Sequence, residues 1–151
     1  MIEGVEIIDL TTFIDERGFF RELLRCNNTE FQENVSQISH SLVYQGVVKA
    51  WHAHKSQFQL NYVLNGLISV SLFDLREKSK TFKQSMTFLC GDNQSSIVYK
   101  FPPGVAHGYK CINGPMNIIY FTSGVYDLEE EIRLPHDDSF IGFDWIKTNI
   151  Y

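Results

Sequence analysis

Gly46-Val47-Val48-Lys49-Ala50-Trp51-His52-Ala53-His54-Lys55-Ser56-Gln57-Phe58-Gln59 runs on through an apolar stretch to Asn65-Gly66, and Pro102-Pro103-Gly104-Val105-Ala106-His107-Gly108 follows later. Side chains alternate across a strand, so His52 and His54 lie on one face. A third histidine, His107, follows a Pro-Gly turn and opens a later strand. This is the layout of a small β-barrel that points histidines into its own mouth. It serves two chemistries: histidine as a general base, or histidines as metal ligands.

Outward from these stretches, strand signals dominate. Val47–His52, Leu60–Leu64, Leu67–Asp74, Gln84–Leu89, Ile97–Phe101 and Asn117–Thr122 are rich in β-branched and aromatic residues. Asn65-Gly66, Gly91-Asp92-Asn93, Pro102-Pro103-Gly104 and Asn113-Gly114-Pro115 punctuate them, and Asn65-Gly66 predicts a tight hairpin. Helical periodicity is weak; Thr29–Asn34 and Asp127–Glu131 are each expected to form one turn. Many short strands with frequent turns predict an all-β sandwich, barrel or jelly roll.

The chain of 151 residues suits one domain spanning 1–151, and 44% apolar content supports a packed core. A formal net charge of −5 disfavours nucleic acid as a partner, although two or three local Arg or Lys could hold a diphosphate. Cys26, Cys90 and Cys111 give neither a disulfide framework nor a zinc spacing, and the two later ones read as inert strand residues. Met1–Leu10 carries acids and no basic cluster, and no apolar run is long enough to span a membrane. The expectation is a cytoplasmic protein with no membrane association.

The His-x-His pair, Gln59 and the later Pro-x-Gly-x-x-His resemble the two motifs of the cupin superfamily, a jelly-roll barrel of double-stranded β-helix type. Metal-binding cupins carry Glu where Gln59 stands, and a neutral amide is a poor substitute for a carboxylate ligand. His52, His54 and His107 alone could still hold zinc or iron.

A sharper resemblance covers nearly the whole chain. Asp15-Glu16-Arg17-Gly18-Phe19-Phe20-Arg21-Glu22 is similar to the Asp-x-Arg-Gly-x-Phe-x-Glu opening of the dTDP-4-dehydrorhamnose 3,5-epimerase family. Gln37-Ile38-Ser39-His40-Ser41 and Gly46–His52 resemble its Gln-x-Asn-x-Ser and Gly-Val-Leu-Arg-Gly-Leu-His blocks. Asp74-Leu75-Arg76 with Ser79 and Thr81-Phe82 continues the match. So do Pro102-x-Gly-Val-Ala-His-Gly-Tyr109, where the family reads Pro-x-Gly-x-Ala-His-Gly-Phe, and then Tyr120, Tyr126, Glu131-Ile132-Arg133 and Gly142-Phe143-Asp144-Trp145.

The resemblance implies inversion of carbons next to the ketone of a nucleotide-linked 4-keto-6-deoxy sugar, in deoxysugar and polysaccharide biosynthesis. It names His52 as base, with His107 beside it and Tyr120 as the acid; the ketone is its own electron sink, so neither metal nor other cofactor is implied. Arg17, from the neighbouring subunit of a homodimer, and Lys49 would hold the diphosphate, Lys49 as a point charge where the family has an Arg fork. Phe20, Glu22, Gln37, Ser39, His54, Asn61 and Tyr126 complete the implied substrate contacts.

Departures accompany the match. The family lysine that stabilises the enolate falls at Gln59, which can donate a hydrogen bond without a charge. The family Asp that orients the histidine, in a Ser-x-Lys-Asp segment, has no counterpart before Tyr151. Asp144 or Asp74 is expected to replace it. Ser39 stands for an Asn, and Val125-Tyr126 for a tyrosine pair. Trp51-His52-Ala53-His54-Lys55 also resembles a block of sugar-nucleotide 3,4-ketoisomerases, leaving ketone migration or binding alone as alternatives. Trp51 reads as a barrel or interface anchor, Phe19 and Phe20 as packing at the mouth or interface, Glu129-Glu130-Glu131 as a solvated face, and His136 as without a role.

Overall fold

The computed structural model describes residues 1–26, 35–92 and 96–146. Its strands are β1 (Glu6–Asp9), β2 (Thr12–Asp15), β3 (Gly18–Arg21), β4 (Gln37–Val43), β5 (Val48–His54), β6 (Gln59–Asp74), β7 (Ser85–Gly91), β8 (Ile97–Phe101), β9 (Val105–Thr122) and β10 (Glu131–Arg133). No helix occurs among the described residues, so none is long and apolar enough to cross a membrane. Thr29–Asn34 lies outside them, and Asp127–Glu130 closes a turn through the Glu130 amide and the Asp127 carbonyl.

β6 and β9 pair antiparallel along their whole lengths, from Gln59↔Thr122 to Asp74↔Val105. Each also belongs to two layers. The first half of β6 and second half of β9 lie in a layer ordered β1-β8-β6-β9-β4. Their other halves lie in a layer ordered β7-β6-β9-β5-β10. Two antiparallel layers sharing a pair of bent strands make the expected cupin jelly roll.

The bend corrects one expectation. Asn65-Gly66 is not a hairpin, and Asn113-Gly114-Pro115 does not end a strand. Both stretches are irregularities inside β6 and β9, facing each other where the register shifts between Val63 and Ile68. Gly66 has φ +88°, and a Cβ there would lie 2.7 Å from the Asn113 carbonyl oxygen and 2.8 Å from the Met116 Cβ. Asn65 donates to the Pro115 carbonyl and accepts from the Asn117 amide, tying the corner together. Matching bulges on paired strands turn the ladder without breaking it.

Between the layers Ile68, Val70, Leu72 and Val105 meet Val63, Tyr99, Phe101, Met116 and Ile118, all almost fully buried. Outside the β5 layer, Trp51 packs on Phe143 (5.6 Å, edge-on) and Trp145 (5.0 Å). Both indole N–H groups donate to the His136 carbonyl, so His136 does have a structural use, through its backbone. Trp51 is therefore a barrel anchor. Gly108 lies against Ala50 and the Trp145 ring, where a Cβ would come within 2.5 Å of the Ala50 Cβ and 3.0 Å of the indole. The loop after β6 is fixed by the buried Asp74 carboxylate, which accepts from Arg76 Nε (2.8 Å), Ser79 Oγ (2.6 Å) and Thr81 Oγ1 (2.6 Å).

Candidate active site

Alternation on β5 alone would separate Lys49 from His52. The register shift between Lys49 and His52 inserts one residue, so Lys49, His52 and His54 all face the interior while Trp51 and Ala53 face out. Across the ladder His107 pairs with His52. β9 contributes His107 and Tyr109 before its bend and Tyr120 and Thr122 after it. β6 contributes Gln59 and Asn61, and β4 contributes Gln37 and Ser39. Together they line one cavity of about 250 Å³. Core hydrophobics fill the remainder of the barrel.

The cavity holds a carboxylate–histidine pair. Glu131, on β10, sits 2.6 Å from His52 Nδ1 and also accepts from Arg133. A carboxylate can only accept, so a proton lies on His52 Nδ1, and in the neutral ring the lone pair is on Nε2. Burial opposes the charge on Glu131, but Arg133 and His52 hold its carboxyl below the usual carboxylate range. Glu131 thus stays ionised at neutral pH. This corrects two expectations: Glu131 is no solvated acid, and neither Asp74 nor Asp144 orients His52. Asp74 is bound in the loop after β6, and Asp144 accepts from the Ile146 amide. Glu130 is also engaged, capping the Ser56 and Gln57 amides.

A hydrogen-bonded chain runs beside this pair. His54 Nε2 donates to Gln59 Oε1 (2.8 Å), and Gln59 Nε2 donates to Asn61 Oδ1 (2.8 Å). Asn61 in turn bonds the buried Tyr99 hydroxyl. Gln59 thereby spends one amide hydrogen on Asn61 and brings no charge to the cavity. His107 is stacked on His54 (5.5 Å) and packed on Phe101 (4.3 Å). Burial, helped by the two other histidines, pushes its pKa well below the usual histidine value, so it is neutral at pH 7. Among the described residues no three His, Cys, Asp or Glu side chains gather as a metal site would require. Tyr120 shares a 2.6 Å hydrogen bond with Tyr109.

Most of the residues expected from sequence converge here: His52, His54, Gln59, Asn61, His107, Tyr120, Lys49, Gln37 and Ser39. Arg17, Phe20, Glu22 and Tyr126 do not line this cavity. Arg17 lies on the exposed β2–β3 ribbon, paired with Asp15 at 2.5 Å, and Glu22 pairs with Arg25. Phe20 is exposed and packs on Phe13. Tyr126 borders an adjoining cleft with His54, Gln57 and Glu131, its amide donating to Gln37. Sequence reasoning missed Glu131 and the role of Tyr109. Tyr109 follows His107 by two on one strand, which would have placed it on the inner face.

The family model for dTDP-4-dehydrorhamnose 3,5-epimerase matches residues 1–151. The chain belongs to this family. It is thereby an epimerase, an isomerase-class enzyme, in a family that acts on dTDP-sugars. It is 41% identical over 148 residues to the spore coat polysaccharide biosynthesis protein SpsL of Bacillus subtilis, covering 96% of this chain and 97% of that one. It is 34% identical to a probable low-salt glycan biosynthesis epimerase, Agl13, of Haloferax volcanii, covering 95% and 94%. The crystal structure of a dTDP sugar isomerase from Desulfovibrio desulfuricans superposes with a TM-score of 0.90 at 29% identity, covering 98% of this chain and 94% of that one. The epimerase thus shares both the fold and nearly the full length of these relatives.

Proposed function

We propose that this epimerase inverts a carbon next to the ketone of a dTDP-4-keto-6-deoxy sugar, with His52 as base and Tyr120 as acid. The observation that carries the reading is the His52–Glu131 pair opening onto the cavity that Tyr120 also lines. His52 Nε2 takes the α-proton, and the C–H electrons move onto the ketone oxygen as an enolate. Glu131 stabilises the imidazolium that forms. Tyr120 delivers a proton to the other face, and both groups regain their starting states by exchange with solvent. Gln59, at the position of the family lysine, would offer the enolate the amide hydrogen not used on Asn61. The ketone itself takes the electrons, so this chemistry calls for no cofactor.

Lys49 is the one lysine or arginine lining the cavity among the described residues, and it suits a diphosphate. A homodimer would supply the second cation, because the β2–β3 ribbon carries Arg17 beside exposed Phe13, Ile14, Phe19 and Phe20. Phe20 and Glu22 would reach substrate from the same ribbon, and Tyr126 would border the nucleotide. Such a substrate is charged and made inside the cell, in keeping with a cytoplasmic enzyme. Light scattering tests the assembly: a monomer removes the role given to Arg17.

The reaction is tested by NMR of dTDP-4-keto-6-deoxyglucose with the protein in D2O. Deuterium at C3, C5 or both, with inverted product, supports the reading and counts the carbons involved. Migration of the ketone to C3 would instead assign a ketoisomerase. Binding without exchange would leave a sugar-nucleotide binder.

A further inference from the structure

Where the family block reads Phe, this chain carries Tyr109, and its hydroxyl lies 2.6 Å from that of Tyr120. Tyr109 is almost wholly buried, in the same core cluster as Tyr99 and Cys111, whereas Tyr120 is only partly buried. Two hydroxyls so close share one proton between them, and the environment decides which gives it. Both rings border the cavity, but Tyr109 is the more deeply buried, so a hydrogen of its own that it did not donate to Tyr120 would have fewer acceptors and less solvent to meet. If Tyr109 donates, the hydrogen of Tyr120 is left to the cavity. Burial, reinforced by Tyr120, holds the Tyr109 phenol well above the usual tyrosine range, in keeping with a group that keeps its proton.

Resting on the function proposed above, we propose that Tyr109 is a positioning residue for the acid. Its O–H donates to the Tyr120 oxygen, aims the Tyr120 hydrogen into the cavity, and holds the phenolate once that hydrogen has gone to carbon. In that step the Tyr120 O–H bond breaks and the new C–H bond forms, while the Tyr109 O–H stays intact. Tyr120 is later reprotonated by solvent. The base side of the reaction, at His52, does not use Tyr109.

The test compares wild type, Tyr109→Phe, Tyr120→Phe and the double variant with dTDP-4-keto-6-deoxyglucose in D2O. Inversion and deuterium incorporation are followed separately. Tyr109→Phe removes one oxygen, and Phe is the family's own residue, so the fold is expected to survive; circular dichroism checks it. Loss of a hydrogen bond to a developing anion is expected to lower kcat for inversion about ten- to a hundredfold. KM should stay within about twofold, and the ratio of exchange to inversion should rise, because proton removal is spared. A merely structural role would not move that ratio. The double variant should be no slower than Tyr120→Phe, since Tyr109 acts only through Tyr120. Unchanged inversion in Tyr109→Phe overturns the proposal, as does a further additive loss in the double variant. A wild-type protein that neither exchanges nor inverts overturns the proposed function and this inference together.

Discussion

Replacing Glu131 by Gln removes one charge from the active site and little else. The amide has the same shape and can still accept from His52 Nδ1. On the proposed mechanism the carboxylate faces an imidazolium once the α-proton has been taken, with 2.6 Å between the bonded atoms. Charge centres about 4 Å apart at an effective dielectric near 20 attract by about 4 kcal/mol. The His52 side chain is 37% exposed, so solvent screens part of this. Charge-assisted hydrogen bonds of this kind contribute about 1.5–3 kcal/mol, which converts to roughly a 10- to 150-fold loss in kcat. Glu131→Asp keeps the charge and should retain more activity than Glu131→Gln. The assay is deuterium incorporation into the sugar, read by NMR, with thermal unfolding as a control. Wild-type turnover in Glu131→Gln would refute the role of the carboxylate, and equal losses in the Gln and Asp variants would show that shape, not charge, is what matters.

His52→Ala is expected to abolish both exchange and inversion, with the melting temperature within a few degrees of wild type; measurable turnover would remove His52 as base. Tyr120→Phe is expected to lose inversion while keeping some exchange, and an unchanged stereochemical outcome would mean that another acid serves. Asp74→Asn leaves Arg76 without its buried carboxylate and should destabilise by about 3–5 kcal/mol, seen as a lower urea midpoint at pH 7. Its neighbours Arg76, Ser79 and Thr81 overcome burial and hold the Asp74 carboxyl far below the ordinary value, so its stabilisation is full above about pH 4 and drains away as pH falls further. Wild type should therefore lose more stability than Asp74→Asn between pH 5 and pH 2, and parallel losses would count against that account.

The barrel and most of its polar lining were legible because strand alternation is a local property. His52 and His54 read as one face from their spacing, and so they are. The corner was not legible. Asn65-Gly66 has the chemistry of a two-residue hairpin, but β9 bends opposite it at Asn113-Gly114-Pro115, and the continuous ladder overrides the local preference. Lys49 shares the inner face with His52 only because of a bulge that the sequence does not announce. Glu131 was hidden for a different reason. A run of acids gives no sign of which member turns inward until β10 pairs with β5, setting Glu131 opposite His54 and Arg133 opposite His52. Arg17 and Phe20 lie on the exposed β2–β3 ribbon away from the cavity, and only the homodimer proposed above would bring them to substrate, which no local pattern encodes.

The bent β6–β9 ladder also governs how the chain reaches its native state. No short loop joins these strands; β7 and β8 intervene, and the ends that carry Gln59 and Thr122 are far more distant along the chain than those that carry Asp74 and Val105. Zippering from the Asp74 end closes the smaller loop first and so costs less chain entropy. High contact order of this kind places the barrel among slow folders, on the millisecond-to-second scale. The polar mouth, with Gln59, Asn61 and Tyr120, then assembles after the apolar interior has formed. Catalytic competence would be the last property gained on refolding, lagging behind the burial of tryptophan.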